Sequence, residues 1–274
     1  MKIYDCFSYL DEDLLLEIRL NILDKYVDYF VIVEGNKTWQ NNNKKLRFDI
    51  KKFENFKNKI IYVPVNDMPD GENPWVRENF QRNCISRGLL NSSPEDIIII
   101  SDVDEIPNLE NIKKLLENKR YAAFKQKGFY YKLNMQNITL PDWYGSRICK
   151  NKYLKSPQWL RSLKFKKRPF WRIDKFRLNS IIENGGWHFC NLKNPEDLLY
   201  KYKNMAETRD NFFAKDGIDG SIDEKYLSVE QIKNSIEEGK NLVGKKEYFK
   251  KIELDDSFPE YILKNRDKYK NWIK

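Results

Sequence analysis

Four isoleucines in succession, residues 97–100, run without a break into Ser101-Asp102-Val103-Asp104-Glu105-Ile106-Pro107. An unbroken β-branched run reads as a strand buried on both faces, as in a parallel sheet. Three carboxylates arrive where that strand must end. The carboxyl end of a central strand is where open α/β sheets bind ligands. Side chains two apart on extended chain point the same way, so Asp102 and Asp104 can share one crevice. Two carboxylates side by side repel unless a cation lies between them. A divalent ion holding a phosphorylated ligand is the simplest occupant. The plainer reading is a solvated acidic loop that opens a helix at Pro107-Asn108.

The chain upstream supports a sheet. Residues 2–8, 29–33 and 59–65 read as further strands, with helical patterns from Asp11 to about Lys25 and from Trp75 to Leu89. Such alternation is the signature of a doubly wound sheet. After the carboxylates the pattern becomes aromatic and extended between Ala122 and Leu133, which predicts antiparallel strands. Helical patterns return at Pro195–Met205, Ser228–Glu238 and Pro259–Ile273. The expected organisation is one α/β domain over residues 1–215 and a helical C-terminal extension over 216–274, packed on it.

Neither standard glycine loop for phosphate is present, so phosphate binding would rest on metal and basic side chains. The net charge is +9. Between Arg161 and Arg177 eight basic residues meet one acid, Asp174, with Phe165, Phe170, Trp171 and Phe176 interleaved. That stripe suits a phosphate-bearing ligand, an anionic membrane surface or nucleic acid, or simply a solvated face. The four cysteines (Cys6, Cys84, Cys149, Cys190) include no Cys-x-x-Cys pair and read as free thiols of a reducing compartment. With no leader-like segment ahead of the first strand and no long apolar run, the expected location is the cytoplasm, with contact at the inner face of a membrane through the basic segment.

The sequence holds one histidine, His188, inside Gly185-Gly186-Trp187-His188-Phe189. It reads either as a satisfied structural residue or as a ligand for metal or phosphate. The two glycines would let the backbone approach a ligand closely, and Trp187 offers a flat apolar face.

Asp5-Cys6-Phe7, the stretch from Leu14 to Leu20, Val27 to Glu34, Asp96 to Pro107, Gly186-Trp187-His188 and Pro259 to Asn265 together resemble glycosyltransferase family 17, in order and over nearly the whole chain. The resemblance implies a GT-A type fold, a central mostly parallel sheet flanked by helices. It also implies a nucleotide-sugar donor (UDP-GlcNAc in the best-known members), a divalent metal (Mn²⁺ or Mg²⁺) and inversion at the anomeric carbon. By position it gives Asp104 to the metal, Asp102 to the metal or the ribose, and His188 to the metal shell or the diphosphate. Glu34 would line the nucleotide pocket. Arg77 and Arg82 would either neutralise the diphosphate or pair within the fold. An inverting transfer needs a carboxylate base, for which Glu105, Asp142 and Glu183 are open candidates. Tyr130, Tyr131, Trp143 and Tyr144 could stack on an acceptor sugar or pack in the core. The acceptor would be a glycan or glycolipid, as in bacterial or viral surface glycan synthesis. The competing readings are a nucleic-acid-binding module built on the basic stripe and a retaining transferase of the same fold.

Overall fold

A computed structural model describes residues 1–116, 119–164, 180–206, 228–241 and 247–274. Most of the basic stripe (165–177 of 161–177) and the expected boundary at 215/216 lie outside the described residues.

The first half alternates as the sequence predicts: β1 (Ile3–Ser8), α1 (Asp13–Leu23), β2 (Tyr29–Gly35), β3 (Ile60–Val65), α2 (Pro74–Asn83) and β4 (Ile97–Asp102). These four strands pair in parallel in the order β4-β1-β2-β3. The isoleucine run explains why β4 is central. Ile97 and Ile99 enter the core that holds Phe7, Leu16 and Ile18, whereas Ile98 and Ile100 enter the one that holds Tyr4, Val31 and Cys149. All four are 0% exposed, and each such burial is worth about 1.5–3 kcal/mol. Asp11 does not cap α1. Instead Glu12 folds back, and its Oε2 accepts from the Leu10 and Asp11 amides at 2.9 and 3.1 Å. The second predicted helix is shorter than expected, because α2 passes into a 3₁₀ turn at Cys84–Gly88. Gly88 lies so close to Val31 that a Cβ there would sit 2.4 Å from Val31 Cγ1.

Next come β5 (Glu105–Pro107), α3 (Ile112–Leu115), β6 (Tyr121–Phe124), β7 (Gln126–Tyr130), β8 (Met135–Asn137), β9 (Asp142–Trp143), β10 (Arg147–Lys150), α4 (Pro157–Ser162), β11 (Ile181–Ile182) and β12 (Gly186–Cys190). β10 runs antiparallel between β4 and β6, and β11 lies parallel to β6, which completes a seven-stranded sheet. The remaining strands form a second, mixed sheet of order β8-β7-β12-β5, with β9 on β7.

The C-terminal segment contains α5 (Pro195–Asn204), α6 (Val229–Glu238), β13 (Phe249–Lys251) and α7 (Glu260–Lys264). Within the expected helical extension, 216–274, a short strand stands beside the helices α6 and α7. β13 joins β8 at the edge of the second sheet. The predicted helix at 259–273 stops at Lys264, and Tyr261 and Tyr269 both donate to Glu17 on α1 at 3.1 and 3.0 Å.

Candidate active site

A cavity of about 360 Å³ opens between the carboxyl ends of β1 and β4 and the face of the second sheet. Ser8 and Asp102 line it from the first sheet, and Tyr130, His188 and Cys190 from the second. Its carboxylate turn is held from behind. Arg19 Nη1 donates to the carbonyls of Asp102, Val103 and Glu105 at 3.1, 3.2 and 2.5 Å, while Nε and Nη2 form a bidentate pair with Asp5 at 2.7 and 2.6 Å. Arg19 and Asp5 are both fully buried.

Asp102 and Asp104 both line the cavity but have separate cationic partners. Asp102 accepts from Arg82 at 3.2 Å and from Arg161 at 2.6 Å. Burial opposes its ionised form, yet the two guanidiniums outweigh burial and hold the carboxyl well below the usual range. Asp104 lies 3.6 Å from His188 Nε2 and 3.7 Å from Lys201 Nζ. Burial disfavours the His188 cation, but Asp104 and the Cys190 thiol outweigh it and push His188 up to about 10. The cation that two adjacent carboxylates demand is therefore supplied twice over by side chains. Among the described residues, one donor atom each from Asp104, His188 and Cys190 lies within 4.8 Å of the others, so this trio is a group able to close on one ion.

The strand pattern sets these directions. His188 and Cys190, two apart on β12, both face the cavity, while Trp187 between Gly186 and His188 faces away. Trp187 donates to the Ser257 carbonyl at 2.9 Å and lines a second cavity of about 760 Å³. The glycines let the strands approach closely. Gly186 has φ 115°, and a Cβ there would sit 2.2 Å from the Ile106 carbonyl oxygen. That close approach lets β12 pair with β5 in the register Trp187↔Ile106 and His188↔Glu105.

Each of the three base candidates has partners within the fold. Glu105 is fully buried beside the cavity, and its carboxylate accepts from Trp143 Nε1 at 2.6 Å, Arg161 at 2.7 Å and the Asp102 amide at 3.1 Å. Asp142 and Glu183 share Lys125 at 3.2 and 3.3 Å and line the second cavity. Glu34 also has a structural occupation. It accepts from the Arg47 and Phe48 amides at 2.7 and 3.0 Å, from Tyr62 at 3.0 Å and from Lys44, which anchors the loop after β2. Arg77 donates to the carbonyls of Trp39, at 2.6 Å, and Gly71. Arg82 pairs with Glu78 at 2.6 Å, besides Asp102. Both arginines thus pair within the fold. Of the aromatic candidates, Tyr130 and Trp143 line the cavity, whereas Tyr131 is buried with its hydroxyl on the Lys240 carbonyl and Tyr144 lines neither cavity.

A family model described as glycosyltransferase family 17 matches residues 1–273. The chain belongs to glycosyltransferase family 17. It is 24% identical over 286 residues to the β-1,4-mannosyl-glycoprotein 4-β-N-acetylglucosaminyltransferase of Rattus norvegicus, covering 93% of this chain and 51% of the relative. To the enzyme of the same name from Homo sapiens it is 25% identical over 285 residues, covering 93% and 52%. The chain spans about half the length of these curated relatives. Within this family 17 chain the geometry adds residues that sequence reading missed. Cys190 could have been found from the His-x-Cys spacing on a strand. Lys201 and Glu247, which also line the cavity, reach it from α5 and from the residues before β13, and no local pattern announces either. Glu247 is buried, and its Oε2 accepts from the amides of Asn137 and Asn241, both at 3.1 Å.

Proposed function

We propose that this chain is the catalytic unit of a metal-dependent, inverting glycosyltransferase of GT-A type. It moves N-acetylglucosamine from UDP-N-acetylglucosamine to a glycan acceptor. The observation that carries this reading is the gathering of Asp104, His188, Cys190 and Lys201 in one cavity at the carboxyl ends of β1 and β4. Family membership supplies the reaction class, and the relatives' printed names supply the sugar.

The chemistry follows from charge. Breaking the bond between sugar and diphosphate loads negative charge on the leaving nucleotide. Asp104 and His188, whose donor atoms fit one ion, would hold a divalent cation, and such a cation would supply charge neutralisation without a proton donor. Lys201 adds a fixed positive charge beside Asp104. Asp102, held by Arg82 and Arg161, presents an oriented carboxylate to the donor's ribose. Trp39 lines the same end, with its indole N–H tied to Gln81 at 2.8 Å, and offers a flat face to the base.

The acceptor hydroxyl must lose its proton as it attacks from the face opposite the diphosphate. Glu247 suits that task. The side-chain amides of Asn137 and Asn241 orient it, and Tyr130 and Trp143 line the same cavity to receive the acceptor sugar. A surface glycan is the proposed acceptor class.

The nucleic-acid reading gains no support from Arg161, the first residue of the basic stripe, which is spent on Asp102 and Glu105. The test is nucleotide release from a panel of UDP-, GDP-, CMP- and dTDP-sugars, with Mn²⁺ or EDTA. Metal-dependent release from UDP-N-acetylglucosamine, lost in Asp104→Ala, is expected. Absence of both turnover and metal-dependent nucleotide binding would overturn the reading.

A further inference from the structure

We propose that Cys190 is a metal ligand in this chain, which makes the site a mixed oxygen–nitrogen–sulfur centre that takes Zn²⁺ or Co²⁺ ahead of Mg²⁺. The proposal rests on the reading of Asp104 and His188 as metal ligands and extends it to the identity of the ion.

Three observations carry it. The donor atoms of Asp104, His188 and Cys190 lie within 4.8 Å of one another, with the two oxygen and nitrogen donors buried and the cysteine half-buried. Cys190 lines the cavity, whereas Cys6, Cys84 and Cys149 are buried elsewhere in the core. The strand also sets the His188 ring and the Cys190 thiol side by side, since the two residues stand two apart on β12 and both line the cavity. The ring in turn is fixed by Trp143, which stacks on it with centroids 4.6 Å apart and planes at 22°. A ligand set whose members are already oriented binds with little reorganisation.

The chemistry of the set decides the ion. Mg²⁺ demands oxygen ligands and sheds its waters reluctantly. Thiolate and imidazole favour Zn²⁺, Co²⁺ and neighbouring borderline ions. On binding, the Cys190 S–H bond and the N–H bond of the ligating His188 nitrogen both break, the two protons pass to solvent, and the freed sulfur and nitrogen pairs form the bonds to the ion. No electron is transferred.

The experiment titrates the full metal-free chain with Co²⁺ under anaerobic, reducing conditions. The expected result is a near-ultraviolet thiolate-to-cobalt charge-transfer band. That band should be absent in Cys190→Ser and unchanged in Cys84→Ser. Cobalt affinity should fall on the order of 10²-fold in Cys190→Ser, at least what loss of an outer-shell partner costs. A second measurement needs no variant: Zn²⁺ should protect Cys190 from alkylation by iodoacetamide, read by mass spectrometry of its peptide, and Mg²⁺ at equal concentration should not. Saturable cobalt binding of equal strength in wild type and Cys190→Ser, without the band, would overturn the sulfur ligand while leaving Asp104 and His188 as the metal site. Cobalt binding that is unaffected by Asp104→Ala would overturn the underlying reading as well.

Discussion

Trp143 lies flat on His188, ring centroids 4.6 Å apart, while its indole N–H donates to Glu105 at 2.6 Å. A fully buried carboxylate thus fixes, through one indole, the plane of the imidazole beside Asp104. Gly145 makes room for this arrangement: a Cβ there would sit 1.7 Å from Glu105 Oε1. Glu105 thus orients Trp143, and it also shares Arg161 with Asp102.

Glu105→Gln tests that role against the role of base. It leaves the buried Arg161 without part of its counter-charge, and breaking a buried pair costs about 3–5 kcal/mol. For a chain of this length the melting temperature should fall on the order of 10 °C. Cobalt or manganese affinity should fall with it, because the His188 plane is no longer held. A variant with unchanged melting temperature and metal affinity but no turnover would make Glu105 the base instead.

Glu247→Gln should behave in the opposite way. The amide keeps an oxygen that can accept from Asn137 and Asn241, so the fold and the cavity wall are preserved. What disappears is proton acceptance. Loss of a general base lowers kcat by about 10²–10⁴-fold. Nucleotide and metal affinities, measured by calorimetry, should match wild type. If kcat survives the substitution, the base lies elsewhere.

Asp102 carries a pH signature of its own. Burial opposes its ionised form, and Arg161 and Arg82 outweigh burial, so its folded pKa lies below the unfolded value of about 3.9. A depressed folded pKa contributes stability that is complete above the unfolded value and is lost as pH falls through the folded one. Asp102→Asn should therefore lower the melting temperature at pH 7. The gap between wild type and variant should narrow steadily below about pH 4. A gap that is constant with pH would mean that the two arginines do not act through the carboxylate's charge.

Much of this geometry is legible in the residues. Ile97–Ile100 fixes a central strand because only burial on both faces accommodates four β-branched side chains in a row, and the two cores that receive them are the outcome. The carboxylates at its end mark the cavity mouth for the same reason. Other parts needed the fold. Trp187 and His188 are neighbours on a strand, so they cannot both face one cavity, and period-two alternation alone would have separated them. The same alternation joins His188 to Cys190. A search for paired cysteines passes over a thiol whose partner is an imidazole two residues away. Glu247 reaches the cavity only because β13 pairs with β8, more than 100 residues earlier in the chain, and no local spacing records that pairing.

Arg19 is the plainest example of a residue hidden from local patterns, since within α1 it occupies an unremarkable polar position. In the fold it is 0% exposed and binds Asp5 through two nitrogens, Ser101 Oγ at 2.8 Å and three carbonyls of the carboxylate turn. Its planar fork of donors is what such a set of acceptors requires, and lysine cannot reproduce it. Arg19→Met leaves Asp5 buried without its partner, at a cost of about 3–5 kcal/mol. Adding Asp5→Leu removes both charges, and an apolar pair of this kind recovers much of that loss. The turn, however, stays without its donors. The double variant should therefore regain most of its melting temperature and still bind Co²⁺ or Mn²⁺ at least about tenfold more weakly than wild type, as loss of a supporting partner does at metal sites. Recovery of metal affinity together with stability would show that the turn holds its shape without Arg19, and that the arginine serves only to neutralise Asp5.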